Sequence, residues 1–206
     1  MAETFDREYW EDRYRGHDHG KGGHPNPRLV AEVADLTPGT ALDAGAGTGA
    51  DAQWLAARGW TVTAVDISRA ALDAARERAG DLEAGAAERI TWVRADLTEE
   101  IPGGGGFDLV SSHYVHPTGG YRAFFDRLAS AVAPGGTLLI VGHDPAEAHG
   151  HTGSLSESHV SAQEIASGLD PGVWEVVVAE SRRREVERGG RRATMHDAVL
   201  RARRRG

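Results

Sequence analysis

Apolar positions along the chain switch between two patterns: short runs that alternate or are wholly apolar, and longer stretches with helical spacing. Phe5, Tyr9, Trp10 and Tyr14 fall on one face of a helix predicted over 5–15. Residues 16–27 are too rich in glycine and proline for a regular element and read as a loop. A helix follows over about 27–36, with proline in its first turn. Strands are predicted at 40–44, 61–66, 90–94, 107–112 and 137–142. Between them lie helices at 50–58, at 68–80 with Ser68 as N-cap, and at 121–132, stopped by Pro134-Gly135-Gly136. A polar loop at 149–158 leads to a short helix at 161–169. Two last strands, at 174–179 and 193–202, are joined across Gly189-Gly190.

Strands that alternate with helices imply an α/β fold: a Rossmann-like, doubly wound sheet, mostly parallel, with right-handed crossovers. The last two strands have no helix between them, so they form a C-terminal antiparallel β-hairpin and bring the sheet to seven strands. A length of 206 residues suits one domain. Within it, 1–36 supply N-terminal helices and a lid loop, and 37–206 form the core.

Composition narrows the function. No apolar run approaches the roughly 20 residues that span a bilayer. The start, Met1-Ala2-Glu3-Thr4-Phe5-Asp6, lacks the basic and apolar stretches of a signal peptide, so a cytoplasmic protein without membrane partners is expected. The chain has no cysteine, which removes disulfides, thiolate metal ligands and cysteine nucleophiles together. A net charge of −8 disfavours broad nucleic-acid binding. Arginines do cluster at Arg182-Arg183-Arg184, Arg191-Arg192 and Arg203-Arg204-Arg205. No aromatic residues interleave them, and they read as a solvated strand pair and a frayed tail rather than a nucleic-acid patch. A small-molecule substrate and a monomer or homodimer are the expectation.

The chemistry concentrates where the first strand ends. Gly45-Ala46-Gly47-Thr48-Gly49-Ala50 follows a strand, opens a helix and fits the G-x-G-x-x-A nucleotide fingerprint. Glycines here allow the tight turn and a close approach by a ligand. Asp66 ends the second strand 21 residues after Gly45, where a carboxylate accepts hydrogen bonds from both ribose hydroxyls. Asp43 stands just before the glycines, at a position that dinucleotide folds usually keep apolar. A carboxylate there can face an amino acid that carries a sulfonium. Asp96 ends the third strand, where it can accept from an adenine amino group while Leu97 packs on the ring.

In sequence order, Leu42-Asp43-Ala44-Gly45-Ala46-Gly47-Thr48-Gly49, Val65-Asp66-Ile67-Ser68, Asp96-Leu97, Phe107-Asp108-Leu109-Val110 and Pro134-Gly135-Gly136-Thr137-Leu138 resemble class I S-adenosylmethionine (SAM)-dependent methyltransferases. Asp51, Trp54-Leu55 and Tyr9-Trp10-Glu11-Asp12-Arg13-Tyr14 are similar to the small group that contains thiopurine and tellurite-resistance methyltransferases. The resemblance implies SAM as cofactor and S-adenosylhomocysteine as product. It implies that Gly45, Ala46, Gly47 and Gly49 line the methionine and ribose, with Asp43 and Ser112 nearby. Asp66 and Ile67 hold the ribose, and Asp96 and Leu97 the adenine. Trp10, Arg13 and Tyr14 fold over the cofactor. No metal site is assigned.

Methyl transfer is an in-line displacement at an activated carbon, so position and exclusion of water matter most. A base is required only where the acceptor must lose a proton. Ligands in doubly wound sheets bind beyond the C-terminal strand ends. His113, His116, His143 and His196 are expected to converge there as candidate bases, with packing roles or metal ligation as alternatives. Tyr114 is a donor to substrate or a packing residue. His17, His19, His24, His149, His151 and His159 are expected in solvated loops. The fourth strand does not end in the Asp/Asn-Pro-Pro-Tyr/Phe pattern of base amino-group methylation. Two competing functions remain: an NAD(P)-dependent oxidoreductase, favoured by the glycine spacing alone, and a SAM-binding protein without transferase activity.

Overall fold

The computed structural model describes residues 5–16, 23–83, 85–145, 160–188 and 191–206. The polar loop at 149–158, the turn at Gly189-Gly190 and His17, His19, His149, His151 and His159 lie outside the described residues. In chain order the elements are α1 (Arg7–Gly16), α2 (Pro27–Val33), β1 (Thr40–Ala44), α3 (Ala50–Ala57), β2 (Thr61–Asp66), α4 (Arg69–Ala79), β3 (Ile90–Arg94), β4 (Phe107–His113), α5 (Tyr121–Ser130), β5 (Val132–His143), α6 (Ala162–Ser167), β6 (Trp174–Arg188) and β7 (Arg191–Arg204).

The seven strands form one sheet in the order β3-β2-β1-β4-β5-β7-β6. The first five are parallel; β7 runs antiparallel to β5 and to β6. Side chains alternate across each strand, so one strand feeds two cores. In β5, Leu138 and Ile140 join Phe124, Leu128 and Leu200 on one face. Leu139 and Val141 join Leu29, Leu55 and Val199 on the other. The two strand series depart in opposite directions from β1 and β4. That reversal opens a crevice beyond their C-terminal ends, where open α/β sheets bind ligands.

Three expectations need correction. The C-terminal hairpin is much longer than its apolar pattern suggests, with strands of 15 and 14 residues. Its arginines lie in β-structure: Arg203 and Arg204 belong to β7, not to a frayed tail, and Arg204 donates to the Val132 carbonyl. Pro134-Gly135-Gly136 does not separate α5 from β5 but lies inside β5, where the pairing with β4 shifts register between Phe107 and Leu109. Among the described residues, no helix is long and apolar enough to cross a membrane.

Candidate active site

The glycine turn is built as its sequence requires. The amides of Gly45 and Ala46 both donate to the Val65 carbonyl at 2.9 Å, which pins the turn to the end of β2. Gly45 has φ +84°, and a Cβ there would lie 2.2 Å from Val115 Cγ2. Gly49, the N-cap of α3, has φ +83° and a Cβ position 2.5 Å from the Trp92 ring. Neither site admits a side chain.

Asp66 stands against this turn. Its Oδ2 accepts from the Gly47 amide and its Oδ1 from the Ser68 amide, both at 2.8 Å. Burial outweighs these bonds and raises the carboxyl above its ordinary value. Each oxygen keeps acceptor capacity for a further donor. On the neighbouring strand end, Asp96 Oδ1 takes both the Thr98 amide, at 2.9 Å, and its hydroxyl, at 2.6 Å. Ser68 caps α4, accepting from the Ala71 amide.

A cavity of about 450 Å³ fills the crevice. Gly45, Asp66, Ile67, Asp96 and Leu97 line it from the strand ends, and Trp10, Arg13 and Tyr14 from α1. His113, His116 and His143 line it from the ends of β4 and β5. The other expected residues stand elsewhere. Ala46, Gly47 and Gly49 lie behind the lining, with the Tyr14 hydroxyl 2.9 Å from where a Gly47 Cβ would be. Ser112 is buried and borders a separate void of about 10 Å³. His24 is exposed. His196 does not reach the cavity, because the register pairs His143 with Asp197, and neighbouring strand residues face opposite ways.

Asp43 lies beneath the cavity, 1% exposed, with no hydrogen-bond partner for its Oδ2. Desolvation, with the charge of Asp51 beside it, pushes its carboxyl up to about 7. Asp51, on the first turn of α3, accepts from the Asn26 amide at 2.6 Å. Its Oδ2 lies 2.8 Å from His113 Nδ1, an ion-pair contact off the line of a hydrogen bond. Desolvation pulls the His113 pKa down, but the charge of Asp51 prevails and raises it. Ligand atoms of Asp43, Asp51 and His113 lie within 4.8 Å of one another, so the trio has the reach to hold a cation. The neighbouring carboxyl groups favour the charged form of the His113 ring there.

The other two histidines belong to a ring column. His116 and His143 are nearly parallel, 14° apart in plane, with centroids 6.0 Å apart. His116 also stacks on Trp10 and Phe5, at 6.1 and 5.0 Å, and its Nδ1 is 3.1 Å from the Tyr121 hydroxyl. Tyr114 lies against His143 at 4.8 Å. Among the described residues it alone holds positive φ without being glycine, at +53°. Its hydroxyl donates to Asp197 at 2.9 Å. Arg28 Nε at 3.1 Å and Arg184 Nε at 2.7 Å complete the Asp197 shell.

Sequence reasoning missed Glu11 and Asp197 as organising groups. Asp197 carried no signal beyond its place beside His196. Glu11 lay inside a recognised motif, but only the fold shows that it reaches the first turn of α4.

Residues 42–138 match the model of a methyltransferase domain family. An uncharacterized methyltransferase of Mycobacterium tuberculosis is 39% identical over 114 residues, which are 55% of each chain. The match thus spans about half the length of such relatives. A solved structure from the conversion of a disulfide bond into a thioacetal group during echinomycin biosynthesis superposes with TM-score 0.73. It is 26% identical and covers 97% of this chain and 92% of its own. The N-methyltransferase NodS of Bradyrhizobium japonicum, solved with S-adenosylhomocysteine, gives TM-score 0.69 at 18% identity, covering 96% of this chain and 98% of its own. This is the class I methyltransferase fold. The sheet order, the mainly parallel strands and the antiparallel ending all agree with it.

Proposed function

We propose that this methyltransferase-fold chain moves a methyl group from SAM to a small-molecule acceptor and leaves S-adenosylhomocysteine. The observation that carries the reading is Asp66: a buried carboxylate lining the cavity while fixed to the backbone of the glycine turn. The cavity suits the group. Gly45 brings bare backbone to the cavity wall, where the amino-acid portion can approach it closely. Asp66 has acceptor capacity left for two ribose hydroxyls. Asp96 and Leu97 offer an acceptor and an apolar face to a purine. Acidic groups at and beneath the cavity favour a cationic sulfonium.

When bound, SAM supplies a methyl carbon already activated by positive sulfur. The chain supplies position and dryness. Trp10 and Tyr14 cover the cavity, and Val115 closes on Gly45. His116 and His143 line the same cavity, and we assign to either the role of taking a proton from an acceptor hydroxyl or amine. An ionised thiol needs no such help. His113 is held beside Asp51 and serves the charge balance around Asp43 instead. We read α1 and the sheet as parts of one domain, since residues of both line the cavity.

Calorimetry with S-adenosylhomocysteine tests the reading. Asp66→Ala is expected to lose about 1.5–3 kcal/mol of binding, the size of charge-assisted hydrogen bonds. Wild-type affinity in that variant would remove the ribose assignment. Binding of a nicotinamide dinucleotide in preference to SAM would remove the proposal as a whole.

A further inference from the structure

We infer that Glu11 is a positioning residue: its carboxylate, seated on the first turn of α4, is the catch that keeps α1 closed over the cavity. It thereby sets how fast the nucleoside leaves. The inference rests on the SAM reading for its ligand, and on geometry alone for the catch.

α1 packs on the body through half-buried aromatic rings, with no residue fully buried. Glu11 gives it a polar anchor on the body. Glu11 Oε2 accepts from the Ser68 hydroxyl at 3.0 Å, the Arg69 amide at 2.8 Å and the Ala70 amide at 3.4 Å. Its other oxygen accepts from the exposed Arg15 at 3.0 Å. The first amides of a helix have no intrahelical partner and stand at its positive end. In α4 two of them are satisfied by a side chain of another helix. Partial burial pulls the Glu11 carboxyl upward, but the Ser68 hydroxyl and the two amides outweigh it and hold the group below its ordinary value. The catch therefore stays charged at neutral pH.

Ser68 joins the catch to the site. Its hydroxyl donates to Glu11, and its amide donates to Asp66, the candidate ribose carboxylate. On the cavity side of α1, Trp10 and Tyr14 form part of the wall, and the Tyr14 hydroxyl lies against Gly47. Losing the three bonds to Glu11 frees both rings together, while the strand ends that hold the nucleoside are untouched. The effect then falls on dissociation more than on association.

The test is stopped-flow displacement of S-adenosylhomocysteine from the full chain, comparing wild type with Glu11→Ala and Glu11→Gln. Glu11→Ala is expected to speed dissociation about 10- to 100-fold, as for loss of charge-assisted bonds, with the association rate within about threefold. Glu11→Gln keeps an acceptor oxygen without the charge and is expected to fall between. Hydrogen exchange on the ligand-free proteins reads the catch directly: the Arg69 and Ala70 amides should exchange faster in Glu11→Ala, while the amides of the central strands keep their wild-type protection. Wild-type dissociation in Glu11→Ala overturns the inference. If the wild type binds no S-adenosylhomocysteine, the cofactor reading fails, and the exchange rates still decide whether Glu11 is the catch.

Discussion

Asp43 and Asp197 are equally removed from water, at 1% and 0% exposure, yet their surroundings are opposite. Asp197 in β7 receives two guanidiniums and a tyrosyl hydroxyl. Asp43 in β1 has a second carboxylate and an imidazole for neighbours and one oxygen without a hydrogen bond. A fully paired buried charge ties elements together: through Asp197, α2, β6, β7 and the β4 exit become one unit. An incompletely paired charge is costly to hold. Next to His113, which lines the cavity, such a perturbed carboxyl marks a candidate functional position.

The largest effect is expected at Asp197. Asp197→Ala leaves Arg28 and Arg184 facing each other without their anion, and is expected to cost about 3–5 kcal/mol in denaturant unfolding. A loss below about 1 kcal/mol would mean that the cluster contributes little to the fold. Tyr114→Phe tests the link from that cluster to the site. Losing one hydrogen bond to a charged group costs about 1.5 kcal/mol. The left-handed Tyr114 backbone is also strained, so the exit that carries Val115 and His116 should relax. Turnover is expected to fall several-fold, roughly what a misplaced group loses, with the affinity for S-adenosylhomocysteine retained. A wild-type rate would separate the brace from the chemistry.

The weak end is sharpened by pH. The Asp43 carboxyl binds its proton more tightly in the folded than in the unfolded chain, since its value rises from 3.8 to about 7. Its contribution to stability is complete below about pH 4 and drains away as pH rises through 7. The raised His113 acts with the same sign. Thermal midpoints measured from pH 5 to 8 should fall with rising pH in the wild type, and fall less in Asp43→Asn. Parallel curves for the two proteins would place the titration elsewhere.

Much of this could be read from local signals. A glycine run between a strand and a helix announces a tight turn wherever it occurs, and Ser68 announces a helix start. Asp66 was found because it ends a short β-branched strand 21 residues after Gly45, and Asp96 because it follows the next short strand. The hairpin was truncated in that reading for a physical reason. On the turn side of the Arg182–Asp197 pair it outruns β5, and no apolar alternation in the sequence marks it as strand there. The histidines divided: His113, His116 and His143 reached the cavity, while a one-residue offset turned His196 aside.

The order of elements, the hand of the sheet and the position of the glycine turn were determined by the sequence alone, because each follows from interactions within a few residues or from the twist of the backbone. Which carboxylate would be neutralised, which would be left short of partners, and that Glu11 would seat on a helix some 57 residues further along were decided only by tertiary structure. Charge interactions depend on distance through space and on exclusion of water, and neither is written in the spacing of residues along a chain.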